Sequence, residues 1–276
     1  MPLDMRGAMP THWLRMGQGA RKAVLIHCSL GHAGAWGGFA AELGDMLDML
    51  AYDMPGHGKS ADWNPETDLQ TQAMLQAIDM IGAEGPVDLI GHSFGGTVAL
   101  RVADARPDLV RSLVMIEPVF FAAALQDNPE LQRQNTQDLA PFYAALQAGD
   151  HETATRIFSD FCGDGRPWGA IPEGQRAAMV ARIHLVAASD PQIYQDQAGL
   201  LAPGRLARIT APCLLMEGAQ TLHYNPRIND ALERRLANTQ RAIVEQAGHM
   251  SPITHPAQVA AHVRAFLGQV PAAVRA

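Results

Sequence analysis

The stretch IGHSFGGTVAL, residues 90–100, sets one serine, Ser93, among Gly91, Gly95 and Gly96. It continues an apolar run, VDLIG (87–91), and leads into a helix-like segment, TVALRVADA (97–105). A G-x-S-x-G pattern between a strand and a helix forces the serine onto a sharp, strained turn. The residues two before and two after it must be small so that strand and helix can pass each other. The hydroxyl then projects beyond the strand end, and amides at the helix start lie ready for developing negative charge. A passive serine in a glycine-rich turn, or a phosphate cradle, is the competing reading. A Walker loop would end in Gly-Lys-Ser/Thr, which this stretch lacks. Strand, turn and helix together favour a nucleophile.

Outward from this turn, short apolar runs recur: AVLIH (23–27), MLAYD (49–53), SLVMIE (112–117), CLLMEG (213–218) and AIVE (242–245). Continuous runs of this length suit strands buried on both faces. Between them lie amphipathic segments. In 66–82, Leu69, Ala73, Ala77 and Ile81 recur every fourth residue, and in 255–268 Val259, Val263, Phe266 and Leu267 share a face. Alternating strand and helix predicts an α/β fold with a mostly parallel, doubly wound sheet. The rhythm breaks over residues 119–208, which hold helical patterns (139–149 and 174–189) and no convincing strand. A structureless loop of that length is implausible, so 119–208 reads as a helical insertion over the sheet. The core then comprises 1–118 and 209–276.

Composition narrows the function. The chain has 276 residues, 47% hydrophobic and 18% charged, with a net charge of -7. It is long enough to bury a full core. No cluster of lysine and arginine marks a nucleic-acid surface. No run of some 18 apolar residues predicts a membrane span. The start, MPLDMRGAMP, lacks the layout of a secretory signal, and three cysteines make neither a disulfide scaffold nor a zinc site. The expectation is a cytoplasmic protein acting on a small molecule as a monomer or homodimer, without metal or organic cofactor.

The motifs IHCSLGHAGAW (26–36), YDMPGHGKS (52–60), GHSFGG (91–96), IEP (116–118) and AGHMSPITHP (247–256) occur in this order. As a set they resemble the α/β-hydrolase family, whose variable helical cap corresponds to 119–208. The resemblance implies a serine hydrolase fold and says little about substrate.

Serine needs a neighbour to take its proton. His249, late in the chain before the last helix, stands where the family keeps its catalytic histidine. His27, His57, His92 and His255 read as structural, whereas His32 is a candidate to face the pocket. The acid departs from the commonest pattern. Family members often carry an aspartate in a Gly-x-x-Asp turn after the post-cap strand, but here that turn reads Gly218-Ala219-Gln220-Thr221. Threonine carries no charge. The resemblance implies Glu117, closing an apolar strand before Pro118, as the preferred acid, since some members place theirs at this strand end. A carboxylate there is also costly to bury without a partner. Glu217 is the rival. The resemblance implies oxyanion donors at the amides of Phe94 and Ser29, with Leu30 if the loop runs differently. Cys28 replaces a usual glycine in that loop, which puts its shape in question. Cys28 as a nucleophile is a weak alternative, since no such turn surrounds it. Leu30, Val119, Phe120, Phe121, Trp168 and Met250 are the candidate pocket residues.

These residues predict hydrolysis of a carboxylic ester or related acyl bond through an acyl-enzyme. Carbon–carbon bond hydrolysis or peroxyacid formation with the same three residues remains open, as does a non-catalytic binding protein on this scaffold.

Overall fold

The computed structural model describes residues 3–126 and 128–272. Residues 1, 2, 127 and 273–276, which the expected core and insertion take in, lie outside the described residues. The sheet has the order β1-β2-β4-β3-β5-β6-β7-β8. Its members are β1 (Leu3–Arg6), β2 (Met9–Met16), β3 (Arg21–Ile26), β4 (Leu47–Tyr52), β5 (Val87–His92), β6 (Val110–Ile116), β7 (Cys213–Gly218) and β8 (Thr239–Val244). From β4 through β8 all neighbours pair in parallel; β1 and β2 are antiparallel additions at one edge.

Each apolar run became a strand because it can be covered on both sides. Val24, Ile26, Leu89, Leu113, Met115 and Leu215 belong to one core cluster, and Ala23, Leu25, Ile90, Val114, Ile116, Leu214 and Met216 to the other. This is the period-two alternation of a strand. Helices α1 (Gly37–Leu43), α2 (Leu69–Ile81) and α3 (Phe94–Ala105) follow β3, β4 and β5. The fourth-residue stripe of α2, from Leu69 to Ile81, is buried throughout.

Between β6 and β7 the chain runs through α4 (Phe121–Leu125), α5 (Pro129–Gln147), α6 (His151–Cys162), α7 (Glu173–Arg182), α8 (His184–Ala188) and α9 (Asp190–Ile193). No strand occurs there among the described residues. A local core of Phe142, Ala145, Ala154 and Ile183 holds part of this segment together. Helix α10 (Tyr224–Glu233) follows β7, and α11 (Ser251–Thr254) with α12 (Pro256–Leu267) closes the chain. The apolar face of α12 packs beside α1 under the sheet. Among the described residues, no helix is long and apolar enough to cross a membrane.

Two features escaped the sequence reading. The β1–β2 hairpin is half exposed, carries Pro10 at its edge, and turns at Gly7 and Ala8, both with positive φ (53° and 64°). Two such residues in a row suit the tight turns of antiparallel pairs. The second is a buried charge cluster at the start of β5. Asp88 is bracketed by Arg21 (Nε to Oδ2, 2.9 Å) and Arg111 (Nε to Oδ1, 2.9 Å), and accepts from Ser112 Oγ at 2.8 Å. Burial pushes the Asp88 carboxyl upward, but the Arg111 and Arg21 guanidiniums outweigh it and hold it below the usual carboxylate range.

Removing that one negative charge leaves two nearly buried guanidiniums facing each other. Asp88→Asn should therefore cost about 3–5 kcal/mol in urea unfolding. A loss within about 0.5 kcal/mol, typical of surface changes, would show that the cluster is solvated instead.

Candidate active site

The parallel strands end along one edge, and three loops there bring distant residues together. Ser93 is the first residue past β5, with φ 56° and ψ -121°. Its N–H donates to the Ile116 carbonyl (2.9 Å), and its own carbonyl accepts from Gly96 N–H (2.9 Å). A Cβ on Gly91 would lie 2.2 Å from the Gly95 carbonyl oxygen, and one on Gly95 2.2 Å from that of Ile26. Both positions require glycine for close backbone approach. The left-handed backbone at Ser93 is thus imposed by the crossing of β3, β5 and α3, as the sequence predicts.

His249 lies in the loop between β8 and α11. Its Nε2 is 2.9 Å from Ser93 Oγ, and its Nδ1 is 3.2 Å from Glu117 Oε2. In the neutral ring, Nδ1–H donates to the carboxylate and Nε2 accepts from the serine hydroxyl. His92, next to Ser93 in the chain, donates from Nε2 to the His249 carbonyl at 2.9 Å. The residue beside the serine therefore anchors the main chain of the histidine.

Glu117 is the first residue past β6, fully buried, with φ 53°. Its N–H donates to the Met216 carbonyl (2.8 Å), fixing it beside β7. Oε1 accepts from Gly218 N–H at 2.5 Å, and Oε2 from Thr221 Oγ1 at 2.6 Å. Thr221, read in the sequence as standing where the usual aspartate would be, instead donates to the Glu117 carboxylate. Glu217, the rival, turns away. Its carboxylate accepts from Arg241 Nη2 (2.6 and 2.8 Å) and from Asn229 Nδ2 (2.5 Å). It is committed to an ion pair on the other side of β7.

The loop after β3 is also ordered by histidine. His27 donates from Nδ1 to Cys28 O (2.7 Å), and its Nε2 accepts from Met54 N–H (3.0 Å). Gly31 N–H closes a turn onto Cys28 O at 3.0 Å. The positive φ of this turn falls on Leu30 (59°), so the doubt attached to Cys28 moves two residues on. Burial pushes the Cys28 thiol up to about 12, which removes it as a nucleophile. Asp53 ties down the neighbouring loops through Ala33 N–H (2.6 Å), Lys59 N–H (2.8 Å) and His12 Nδ1 (2.8 Å). A Cβ on Gly58 would strike this carboxylate at 2.0 Å.

A chamber of about 50 Å3 opens over Ser93, lined by Ser29, Val119 and Phe121 from the expected set. Phe94 N–H, at the first position of α3, has no partner within its helix. Four expected pocket residues lie elsewhere. Phe120 is buried in the core, because its neighbours Val119 and Phe121 take the chamber side. Leu30 packs on the local core of α5 and α6. Trp168 sits in a short turn with the Arg176 guanidinium 5.9 Å above its ring. Met250 lines a separate cavity of about 370 Å3 that meets His249 from another side. His32 is exposed and lines no part of the chamber. His255 accompanies Thr254 at the start of α12. The chamber roof comes instead from Leu139, Phe142 and Tyr143 of α5, Phe158, Phe161 and Cys162 of α6, and Val186 to Tyr194. The helical pattern was legible for 139–149 and 174–189; which face looks down was not.

A family model described as the alpha/beta hydrolase family matches residues 23–262. The lipase LipV of Mycobacterium tuberculosis is 29% identical over 253 residues, covering 91% of this chain and 94% of that protein. A pimeloyl-[acyl-carrier protein] methyl ester esterase of Neisseria meningitidis is 28% identical over 267 residues, covering 91% and 95%. The crystal structure of Cfl2 from Burkholderia cenocepacia superposes with a TM-score of 0.74 at 18% identity, covering 95% of this chain and 94% of that one. At that identity the likeness concerns the fold.

Burial, before any other influence, lowers the His27 ring to about 4 and the His57 and His92 rings to about 3. An unfolded chain binds protons on these rings near 6.5, while the folded chain keeps them neutral. Their contribution to stability is complete above about 6.5 and is lost as pH falls toward 4 and 3. Unfolding midpoints should therefore decline between pH 7 and pH 4.5. His92→Gln, which keeps a donor and does not titrate, should flatten part of that decline; an unchanged slope would sink this account.

Proposed function

The chain belongs to the α/β-hydrolase family and is a hydrolase, and from that premise we propose that it cleaves a carboxylic ester or related acyl bond of a small, largely apolar substrate through a Ser93 acyl-enzyme. The observation that carries the reading is the continuous contact from Ser93 Oγ to His249 (2.9 Å) and on to Glu117 (3.2 Å). Two names among the relatives, a lipase and a methyl ester esterase, support the bond type.

In this reading His249 Nε2 takes the serine proton as Oγ attacks the carbonyl carbon, and then gives that proton to the departing alcohol. Glu117 fixes the ring tautomer and stabilises the imidazolium that forms. The amides of Ser29 and Phe94 receive the oxyanion. Water activated by the same imidazole releases the acid and regenerates Ser93. The segment 119–208 serves as the cap that selects the substrate. The aromatic and aliphatic wall of the chamber, from Phe121 to Phe161, supports an apolar group next to the reacting carbon.

Fluorophosphonate treatment should add one adduct on Ser93, read by intact mass and peptide mapping. No adduct on the wild type, or one that persists in Ser93→Ala, would defeat the catalytic reading. Glu117→Gln should lower kcat by roughly 10³–10⁴-fold, as loss of the acid does in such relays. Thr221→Val should lower it by about 10–100-fold, the worth of a hydrogen bond to a charged group, while Thr221→Ser retains most of it. Equal rates for all of these would move the acid's role away from Glu117.

A further inference from the structure

The small chamber over Ser93 does not end at its roof. A second cavity of about 540 Å3 lies beyond it, and Leu139, Tyr143, Asp190 and Tyr194 line both. That volume is typical of a small-molecule site, whereas the chamber alone holds little more than water. A substrate group that runs from Ser93 into this larger space meets the partition on its way. The partition carries one charge. Asp190 Oδ2 accepts from the Tyr143 hydroxyl at 2.8 Å, and among the described residues no lysine, arginine or histidine pairs with it. Burial pushes the Asp190 carboxyl up to about 6, with the Tyr143 hydroxyl pulling weakly against it. A half-buried carboxylate without a counter-ion is an unfavourable arrangement that an incoming cation would relieve.

The rest of the outer cavity points the same way. Its polar lining is Gln126, Gln132, Asn135, Thr136, Gln195 and Asp196, with no basic side chain. Asp196 is already occupied by the N–H groups of Leu200 and Leu201, each at 2.8 Å. Asn135 is 4% exposed, and its Nδ2 has no hydrogen-bond partner among the described residues, though the Tyr194 and Tyr224 hydroxyls lie near enough to feel it. This is an independent sign that the cavity is built for a polar occupant. An anion entering here would meet two carboxylates, while Arg101 and Arg205, which act on Asp196, lie outside the lining.

Resting on the esterase reading above, we propose that the outer cavity is the substrate's second subsite, that it takes an ester whose remote end is an alkylammonium group seated against Asp190, and that it turns away a remote carboxylate. Selectivity then comes from matching one unpaired charge in the wall, in addition to apolar fit at Ser93.

The test compares esters of matched shape. One set carries the variable group in the acyl half: 4-nitrophenyl esters of 5-(trimethylammonio)pentanoate, of its neutral tert-butyl isostere, and of a heptanedioate with a free carboxylate. The other places it in the alcohol half: choline acetate and 3,3-dimethylbutyl acetate. At pH 8 the wild type should favour the cation over its neutral isostere by about tenfold in kcat/KM in at least one set, and should handle the carboxylate worst. In Asp190→Asn the cation-to-neutral ratio should fall to about one. Tyr143→Phe, which frees the carboxylate, should keep or raise that ratio. Because each ratio is internal to one variant, a general loss of activity leaves it readable. Equal use of cation and neutral ester by the wild type in both sets, or a preference that survives Asp190→Asn, overturns the proposal. Failure of every ester together with an unlabelled Ser93 would instead overturn the esterase reading.

Discussion

A carboxylate with no exposure to solvent must be fully surrounded by donors, and Glu117 meets that condition with three residues, two from the turn after β7 and one from the loop after β8. Gly218 N–H, Thr221 Oγ1 and His249 Nδ1 all reach it. Taking such a charge out of water is costly unless its lone pairs are filled, so the loops after β6, β7 and β8 are bound to one arrangement. The position of His249 over Ser93 follows from that arrangement. Left-handed backbone at both Ser93 and Glu117 breaks the strand alternation at the same level of the sheet and brings both side chains to one edge.

Much of this was legible in residues 90–118. The glycine spacing around Ser93 dictates a turn because Gly91 and Gly95 meet backbone within van der Waals distance. Glu117 was identifiable because the family resemblance offers this strand end for the acid and because an acidic residue closing an apolar strand needs a partner. The parallel strands were visible as two-faced apolar runs. What the chain did not disclose has a common physical character: it depends on which of several equivalent faces meets a neighbour. Thr221 is a donor to Glu117 only because of the way the turn after β7 closes onto Ala247 O, at 2.8 Å from Gln220 N. The roof residues share their helical period with many others, and periodicity sets a face without naming its partner. Asp88 with Arg21 and Arg111 is a contact between positions 67 and 23 residues apart, with no local signature.

Histidine serves this protein in two opposite ways. His27, His57 and His92 are held neutral, each tied to the main chain by a ring nitrogen and His27 by both. His249 keeps its two nitrogens directed at the Glu117 carboxylate and the Ser93 hydroxyl. The difference lies in what each ring faces. The structural rings meet backbone carbonyls and amides, which do not titrate, and burial fixes their charge. Four histidines at one sheet edge are therefore not four candidates for one role.

All members of the Ser93–His249–Glu117 relay, and the donors that hold them, hang from the ends of β5, β6, β7 and β8. Helices α4 to α9 supply walls and none of these contacts. In the proposed reading, chemistry and selection then rest on different parts of the chain. The roof can loosen, tilt or accumulate substitutions while the reacting atoms stay in register. New substrates are therefore accessible to this scaffold by repainting its ceiling, without rebuilding the bench beneath it.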